Sequence, residues 1–307
     1  MVDSRHEILL YYKYTKIENP VGFMRKHKRL CESLGLTGRI IIAQEGINGT
    51  VEGLKENTEK YIETLQSDPR FADMHFKKSE GNGKAFPKLW IRVREEIVAS
   101  YLDKTDKPIN PQEVTGKYIT PEELHNWIHS NKQSLSANKK FYLVDMRNDY
   151  EHAVGYFKDS IHAPFKNFRD LASVLPILKS LKNETIVTVC TGGVRCEKAS
   201  GFLVANGFNN VYQLNGGIVS YMEKYPNEDF LGKLYVFDGR ITVGFNTQDP
   251  KHKIVGKCAV CEKPADTYRD CANLACAHKR HFVSCDKCFE ESQGFCQTCF
   301  SSQSLQA

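Results

Sequence analysis

The chain has 307 residues, 41% hydrophobic and 26% charged, with a formal net charge of +5, a globular composition with room for two or three domains. No apolar run approaches the length of a membrane span, and Met1-Val2-Asp3-Ser4-Arg5-His6 starts no signal peptide, which argues against a membrane or exported protein. The expected location is the cytoplasm.

In chain order, Glu7–Tyr14 reads as a strand and Pro20–Leu34 as a helix carrying the basic run Arg25-Lys26-His27-Lys28-Arg29. Arg39–Ala43 is the second strand. Gly46–Gly53 is a turn and third strand, Leu54–Gln66 a second helix, and Met74–Lys78 and Leu89–Val93 two more strands. The order βαββαβ plus one strand predicts a ferredoxin-like α+β domain over 1–117. Such folds host many functions, so this one names none. The polar, proline-bearing stretch 101–120 reads as a linker.

Thr120-Pro121-Glu122-Glu123 opens the next domain, 118–230, as a helix start: Thr as N-cap, Pro at the first helical position, Glu at the third. Phe141–Asp145 is a strand, followed by a helix around Phe168–Leu181, a strand Thr185–Val189, a helix Glu197–Val204 and a strand Val211–Leu214. Asn215-Gly216-Gly217-Ile218 then turns into a helix reaching Tyr225. Strands alternating with helices predict a parallel sheet covered on both faces. Cys190-Thr191-Gly192-Gly193-Val194-Arg195-Cys196 sits at the carboxyl end of one of its strands, where such sheets bind ligands. The glycines let successive amides point at one spot, and the following helix dipole and Arg195 add positive potential. A thiol there loses its proton easily, and the same loop of Thr191, Gly192, Gly193 and Val194 would cradle an anionic adduct on the sulfur. Asp145 and Arg147, two apart at a strand end, project to one side. They read either as a structural ion pair or as residues that fix the loop or help bind an anion. Cys196 reads either as a thiol that condenses with oxidised Cys190 or as a small buried filler.

The Cys-x4-Arg spacing is one residue shorter than the phosphatase loop and resembles that of the rhodaneses, whose tighter ring suits a persulfide better than a phosphate. Asp145-Met146-Arg147-Asn148-Asp149-Tyr150-Glu151, His162-Ala163-Pro164, the Cys190 loop and Leu214-Asn215-Gly216-Gly217-Ile218 follow in the order of a rhodanese domain. With Ala43-Gln44-Glu45-Gly46-Ile47-Asn48-Gly49-Thr50 in front and Cys196-Glu197-Lys198-Ala199 behind the loop, nearly the whole chain resembles the rhodanese-like tRNA uridine hydroxylase family. Met146 stands where Val is expected. The resemblance implies oxygen-dependent hydroxylation of the first anticodon uridine to 5-hydroxyuridine, with Cys190 essential. No nicotinamide or flavin motif and no evident two-His-one-carboxylate iron site is seen. Two chemistries stay open: addition of the thiolate to C6 of uracil, or oxygen activation by a persulfide. Alternative functions are a sulfurtransferase passing a persulfide sulfur to an acceptor, and a non-catalytic tRNA-binding protein.

Residues 231–307 open with a hairpin, Leu234–Asp238 and Ile241–Phe245 around Gly239-Arg240, then carry Cys258/Cys261, Cys271/Cys276, Cys285/Cys288 and Cys296/Cys299. Three of these pairs have the Cys-x2-Cys spacing that places two thiolates on one tetrahedral metal, so two structural Zn2+ ions are expected. His278 and His281 are spare ligands. Residues 1–117 carry a charge of +3, residues 118–230 zero and the remainder +2. The excess thus flanks the Cys190 unit, as expected if the neighbours grip tRNA, and Arg25, Lys26, Lys28 and Arg29 are the densest candidate contact.

Overall fold

The computed structural model describes residues 5–102, 109–133, 141–163, 165–276 and 281–304. The first unit runs β1 (His6–Tyr14), α1 (Pro20–Ser33), β2 (Thr37–Ala43), β3 (Gly46–Leu54), α2 (Lys55–Gln66), β4 (Phe76–Glu80) and β5 (Leu89–Val93). Its sheet order β4-β1-β3-β2 is the ferredoxin-like arrangement, and β5 adds to β2 in parallel. Alternation divides the strands between two faces. Leu9, Tyr11, Ile40, Ile42, Ile47 and Val51 pack against Phe23, Leu30, Cys31, Tyr61 and Leu65 of α1 and α2. The other face presents Lys77, Leu10, Thr50, Arg39 and Trp90 in one cross-strand row, and Tyr12, Asn48, Ile41 and Arg92 in the next. No helix of this unit covers that second face. Strand β4 starts two residues later than expected because Met74, buried and turned back onto Phe71, still belongs to the loop.

The second unit runs β6 (Lys117–Ile119), α3 (Pro121–Gln133), β7 (Phe141–Asp145), α4 (Asp149–His152), β8 (Gly155–Phe157) and β9 (Ile161–His162). It continues with α5 (Val174–Leu178), β10 (Thr185–Val189), α6 (Val194–Ala205), β11 (Asn210–Leu214) and α7 (Gly217–Lys224). Five strands form one parallel sheet, ordered β6-β11-β10-β7-β9. The Thr120–Glu123 capping box forms reciprocally, Thr120 N donating to the Glu123 carboxylate and Glu123 N to Thr120 Oγ1. The span Phe168–Leu181 is a short α turn between two 3-10 stretches, with Asp170 outside helical backbone and Pro176 denying an amide to the ladder. The expected linker 101–120 is also largely part of the parallel-sheet unit: Leu102 and Ile109 are buried in its core and Lys117–Ile119 form β6, while residues 103–108 lie outside the described ones.

The third unit holds β12 (Phe230–Gly232), which pairs with β8, then β13 (Leu234–Tyr235) and β14 (Thr242–Val243). These last two form the expected hairpin, paired over two residues a side, and its turn docks on the first unit: Gly239 N donates to Ala85 O and Arg240 Nη1 to Ser79 Oγ. Then come β15 (Tyr268–Asp270), β16 (His281–Val283), α8 (Asp286–Glu291) and α9 (Gln297–Ser304). No helix among the described residues is long and apolar enough to cross a membrane.

Candidate functional site

Strand β10 ends at Val189 and the chain turns through Cys190–Gly193 into α6, which begins at Val194, so Arg195 and Cys196 lie in its first turn. Gly193 has φ +105° and donates its amide to Cys190 Sγ at 3.3 Å. A side chain there would meet the Tyr12 hydroxyl at 2.8 Å, so both backbone and space require glycine. Gly217 closes the loop from beneath: a Cβ on it would come within 2.7 Å of Cys190 O. Cys190 is fully buried. Burial pushes its pKa up, but a hydrogen bond from the Cys196 thiol, the Arg195 charge and the amides of Cys196 and Gly193 outweigh it and bring it down to about 6. Cys196, also buried, moves the opposite way, pushed well up by burial and by the neighbouring Cys190. The proton therefore resides on Cys196, which sits beside Cys190.

Arg195 ties the loop down. Its guanidinium forms a two-pronged pair with Glu151, 2.7 Å on the second prong, and donates to Thr191 Oγ1 at 3.1 Å. Thr191 in turn donates to Glu151 at 3.1 Å. Glu151, completely buried in α4, was not singled out in the sequence; its partner lies 44 residues on. Asp145 and Arg147 form a second closed pair, with Arg147 Nη2 2.6 Å from Asp145 Oδ2 and 2.7 Å from Gly155 O. Both are fully buried. Burial would raise the Asp145 carboxyl, but Arg147 holds it below its ordinary value. This pair ties the end of β7 to β8. Pro164 lies outside the described residues.

The uncovered sheet face of the first unit lies over the Cys190 loop. A Cβ on Gly192 would approach Leu10 to 3.0 Å, Tyr14 donates to Val194 O at 3.1 Å, and Tyr12 donates to Glu197 at 3.0 Å. Two charged residues just after the loop clamp the units together. Glu197 also accepts from Tyr118 and Gln213, and Lys198, with no exposure, pairs with Glu45 at 2.9 Å and Glu96 at 2.7 Å. Lys77 on β4 is the least expected member. It is 6% exposed, its Nζ lies 5.5 Å from the Tyr12 ring, and its stem lies beside Gly216. Burial lowers its pKa to about 8, against the pull of Cys190 and Glu223.

Between the units opens a cleft of about 360 Å³, bordered by Tyr12, Arg39, Asn48, Gly192, Arg195 and Phe237 among others. That is within the range of small-ligand sites. Phe237 comes from the third unit, 45% exposed, with the Arg195 guanidinium 5.8 Å from its ring centre. Thr191, Gly192, Val194 and Arg195 border the cleft, but Cys190 itself does not. Helix α1, with exposed Arg25, Lys26, Lys28 and Arg29, packs on the opposite sheet face; His27 of the same run is buried against Tyr61.

The tail cysteines gather into two interleaved tetrads, Cys258/Cys261/Cys285/Cys288 and Cys271/Cys276/Cys296/Cys299. Sulfurs in them stand 3.8 Å apart for Cys261–Cys285 and 3.7 Å for Cys276–Cys296. Four thiolates at the usual ~2.3 Å from a tetrahedral Zn2+ stand about 3.8 Å from one another, so both sets fit a metal of zinc type. His281 pairs with Asp270 at 3.0 Å and belongs to neither tetrad; His278 lies outside the described residues.

Three family models match: a UPF0176 acylphosphatase-like domain over residues 6–97, a rhodanese-like domain over 120–224 and a rhodanase C-terminal segment over 231–300. A protein of Cytophaga hutchinsonii named tRNA uridine(34) hydroxylase is 42% identical over 95% of this chain and 88% of its own. One of the same name from Bacillus cytotoxicus is 43% identical over 90% and 82%. Among solved structures, a rhodanese-like domain protein from Staphylococcus aureus is 33% identical over 34% of this chain and 90% of its own, with a TM-score of 0.27. With such identity along almost its whole length, the chain belongs to the tRNA uridine(34) hydroxylase family.

Proposed function

We propose that this protein hydroxylates uridine 34 of tRNA, the first anticodon position, to 5-hydroxyuridine, in the cytoplasm and with molecular oxygen as co-substrate. The observation that carries the reading is the Cys190 thiol set against the Gly193 amide and Arg195, which draw its pKa below the ordinary thiol value, beside a cleft of nucleoside size. Addition of that thiolate to C6 would move electron density onto C5, which takes one oxygen atom of O2; the other leaves as water with two electrons and two protons from an external two-electron donor, and loss of the C5 proton then expels the thiolate and restores the ring. In this reading Phe237, half-exposed at the cleft, stacks on the base, and Asn48, whose Nδ2 donates to Ile97 O, accepts from its edge through Oδ1. Cys190, fully covered here, is reached by displacement of the covering side chains. Glu151, Asp145 and Arg147 act as positioning residues, since each is spent on loop or strand contacts. Arg195 pairs with Glu151 and, in this reading, holds the loop and supports the Cys190 thiolate through its charge.

Three units share the work in this reading, divided near residues 117 and 230 apart from Leu102 and Ile109, which pack into the second. RNA approaches along the uncovered sheet face, where Trp90 is 40% exposed, flanked by Lys88 at 4.9 Å and Arg92 at 4.0 Å, and in register with Arg39 at the cleft. The Arg25–Arg29 run contributes general attraction only. Each tetrad holds one structural Zn2+, which metal analysis before and after alkylation of the thiols tests. For the activity, tRNA nucleosides from cells lacking the gene are compared by mass spectrometry after complementation. Wild type should restore 5-hydroxyuridine and Cys190→Ser, expressed and folded, should not; restoration by the variant removes Cys190 from the reaction.

A further inference from the structure

We infer that His125, His129, Glu228 and Asp229 form a third metal site, for a divalent first-row ion of zinc type, apart from the cysteine tetrads. His125 and His129 are four apart on α3 and so share a face. Glu228 and Asp229 arrive from the turn between α7 and β12, some hundred residues later, so no local spacing announces the set. One donor atom from each of the four lies within 4.8 Å of all the others.

The geometry is close to what an ion requires. His129 Nε2 stands 3.1 Å and His125 Nδ1 3.3 Å from Asp229 Oδ2, while Glu228 Oε2 lies 3.7 Å from the other nitrogen of His125, so a single ion takes one His125 nitrogen and only one of those two contacts as it stands. Nitrogen and oxygen ligands at ~2.0–2.1 Å from a tetrahedral ion lie about 3.3 Å apart. Outer contacts already hold the ligands. Asp229 is 6% exposed and accepts from the Tyr221 hydroxyl at 2.6 Å, and the Tyr225 ring lies flat on His125 at 3.9 Å. A ligand fixed by a second shell is typical of a built site. Two imidazoles with two carboxylates suit Zn2+, Co2+ or Ni2+; Mg2+ and Ca2+ favour oxygen alone.

Location gives the ion its role. Helix α7 begins against the Cys190 loop, where Ile218 N donates to Cys190 O, and the cluster lies past its far end, roughly 12 Å of helix away. Asp229 precedes β12, which leads out to the cysteine-rich unit. An ion here staples α3 to that exit and works as a structural clamp.

Hydrogen bonds alone also satisfy Asp229, so metal uptake is the quantity that discriminates. Full-length wild type and a His125→Gln/His129→Gln double variant are saturated with Zn2+ at neutral pH, passed over gel filtration and analysed for metal. Wild type should hold one more ion per chain than the variant, and added Zn2+ should raise the Tm of wild type alone. Tyr221→Phe keeps all four ligands and should weaken uptake about 10–100-fold, as loss of an outer partner does. Equal metal content in wild type and a folded double variant overturns the assignment, and so does an equal Tm response.

Discussion

Cys190 and Lys77 carry opposite charges over a shared window. The thiolate forms as pH rises through about 6, and the Lys77 ammonium is lost as pH rises through about 8. Both are burial effects resisted or reversed by neighbours, which is how active sites are commonly tuned. If the reaction needs both charged forms, its rate follows a bell with limbs near those two values. Cys196→Ala removes the thiol that hydrogen-bonds Cys190, so the acid limb should move to higher pH, visible also as a later rise of ultraviolet thiolate absorbance. Lys77→Met should lower the rate and abolish the alkaline limb while leaving the acid limb in place. A profile with an unchanged alkaline limb in Lys77→Met would assign that limb to another group.

At the scale of elements, the junction between the first two units depends on charges that burial makes costly. Lys198 stands with no exposure between Glu45 and Glu96. Lys198→Ala leaves the buried Glu96 and the partly exposed Glu45 without their cation, a loss of up to about 3–5 kcal/mol for a broken buried pair. Denaturant unfolding should show that loss, and relief at low pH as the carboxylates protonate; a variant as stable as wild type would mean water already reaches them. The sequence made much of this architecture legible. Hydrophobic periodicity marked β10 and β5 to the residue, because each is a short run of β-branched or aromatic residues with unambiguous ends. The Cys190 loop was legible because glycine, cysteine and a helix start must be adjacent in the chain to work. What was hidden lay in pairings across long separations. Glu151 with Arg195, Lys77 with Cys190, and Phe237 with the cleft each join elements that only the fold brings together. The span Phe168–Leu181 reads as one helix but is broken, because Asp170 leaves helical backbone and Pro176 withholds an amide.

On the scale of the whole molecule, the distribution of charge and the geometry of approach disagree about where RNA binds. The densest basic run, Arg25 to Arg29, rides on α1, on the sheet face turned away from Cys190. The sparser set Arg39, Lys88, Trp90 and Arg92 occupies the face that meets the Cys190 loop. Charge density sets long-range attraction, whereas delivery of a single base needs contacts within a few nucleotides of the thiol. The face therefore outranks the run. Trp90→Ala should weaken binding of an anticodon stem-loop by about 1–3 kcal/mol, the usual worth of one stacked base. Arg39→Ala with Arg92→Ala should flatten the dependence of log affinity on log salt by roughly 1.4, at about 0.7 per phosphate contact to a single strand. Both should depress uridine modification further than they depress binding of full tRNA. Replacing Arg25, Lys26, Lys28 and Arg29 together by Ala should slow association at low salt and leave modification at saturating tRNA near wild type. If instead the quadruple variant loses modification at saturation while the Trp90 and Arg39/Arg92 variants keep it, the RNA reaches Cys190 around the helical side and the track is only an exposed sheet edge.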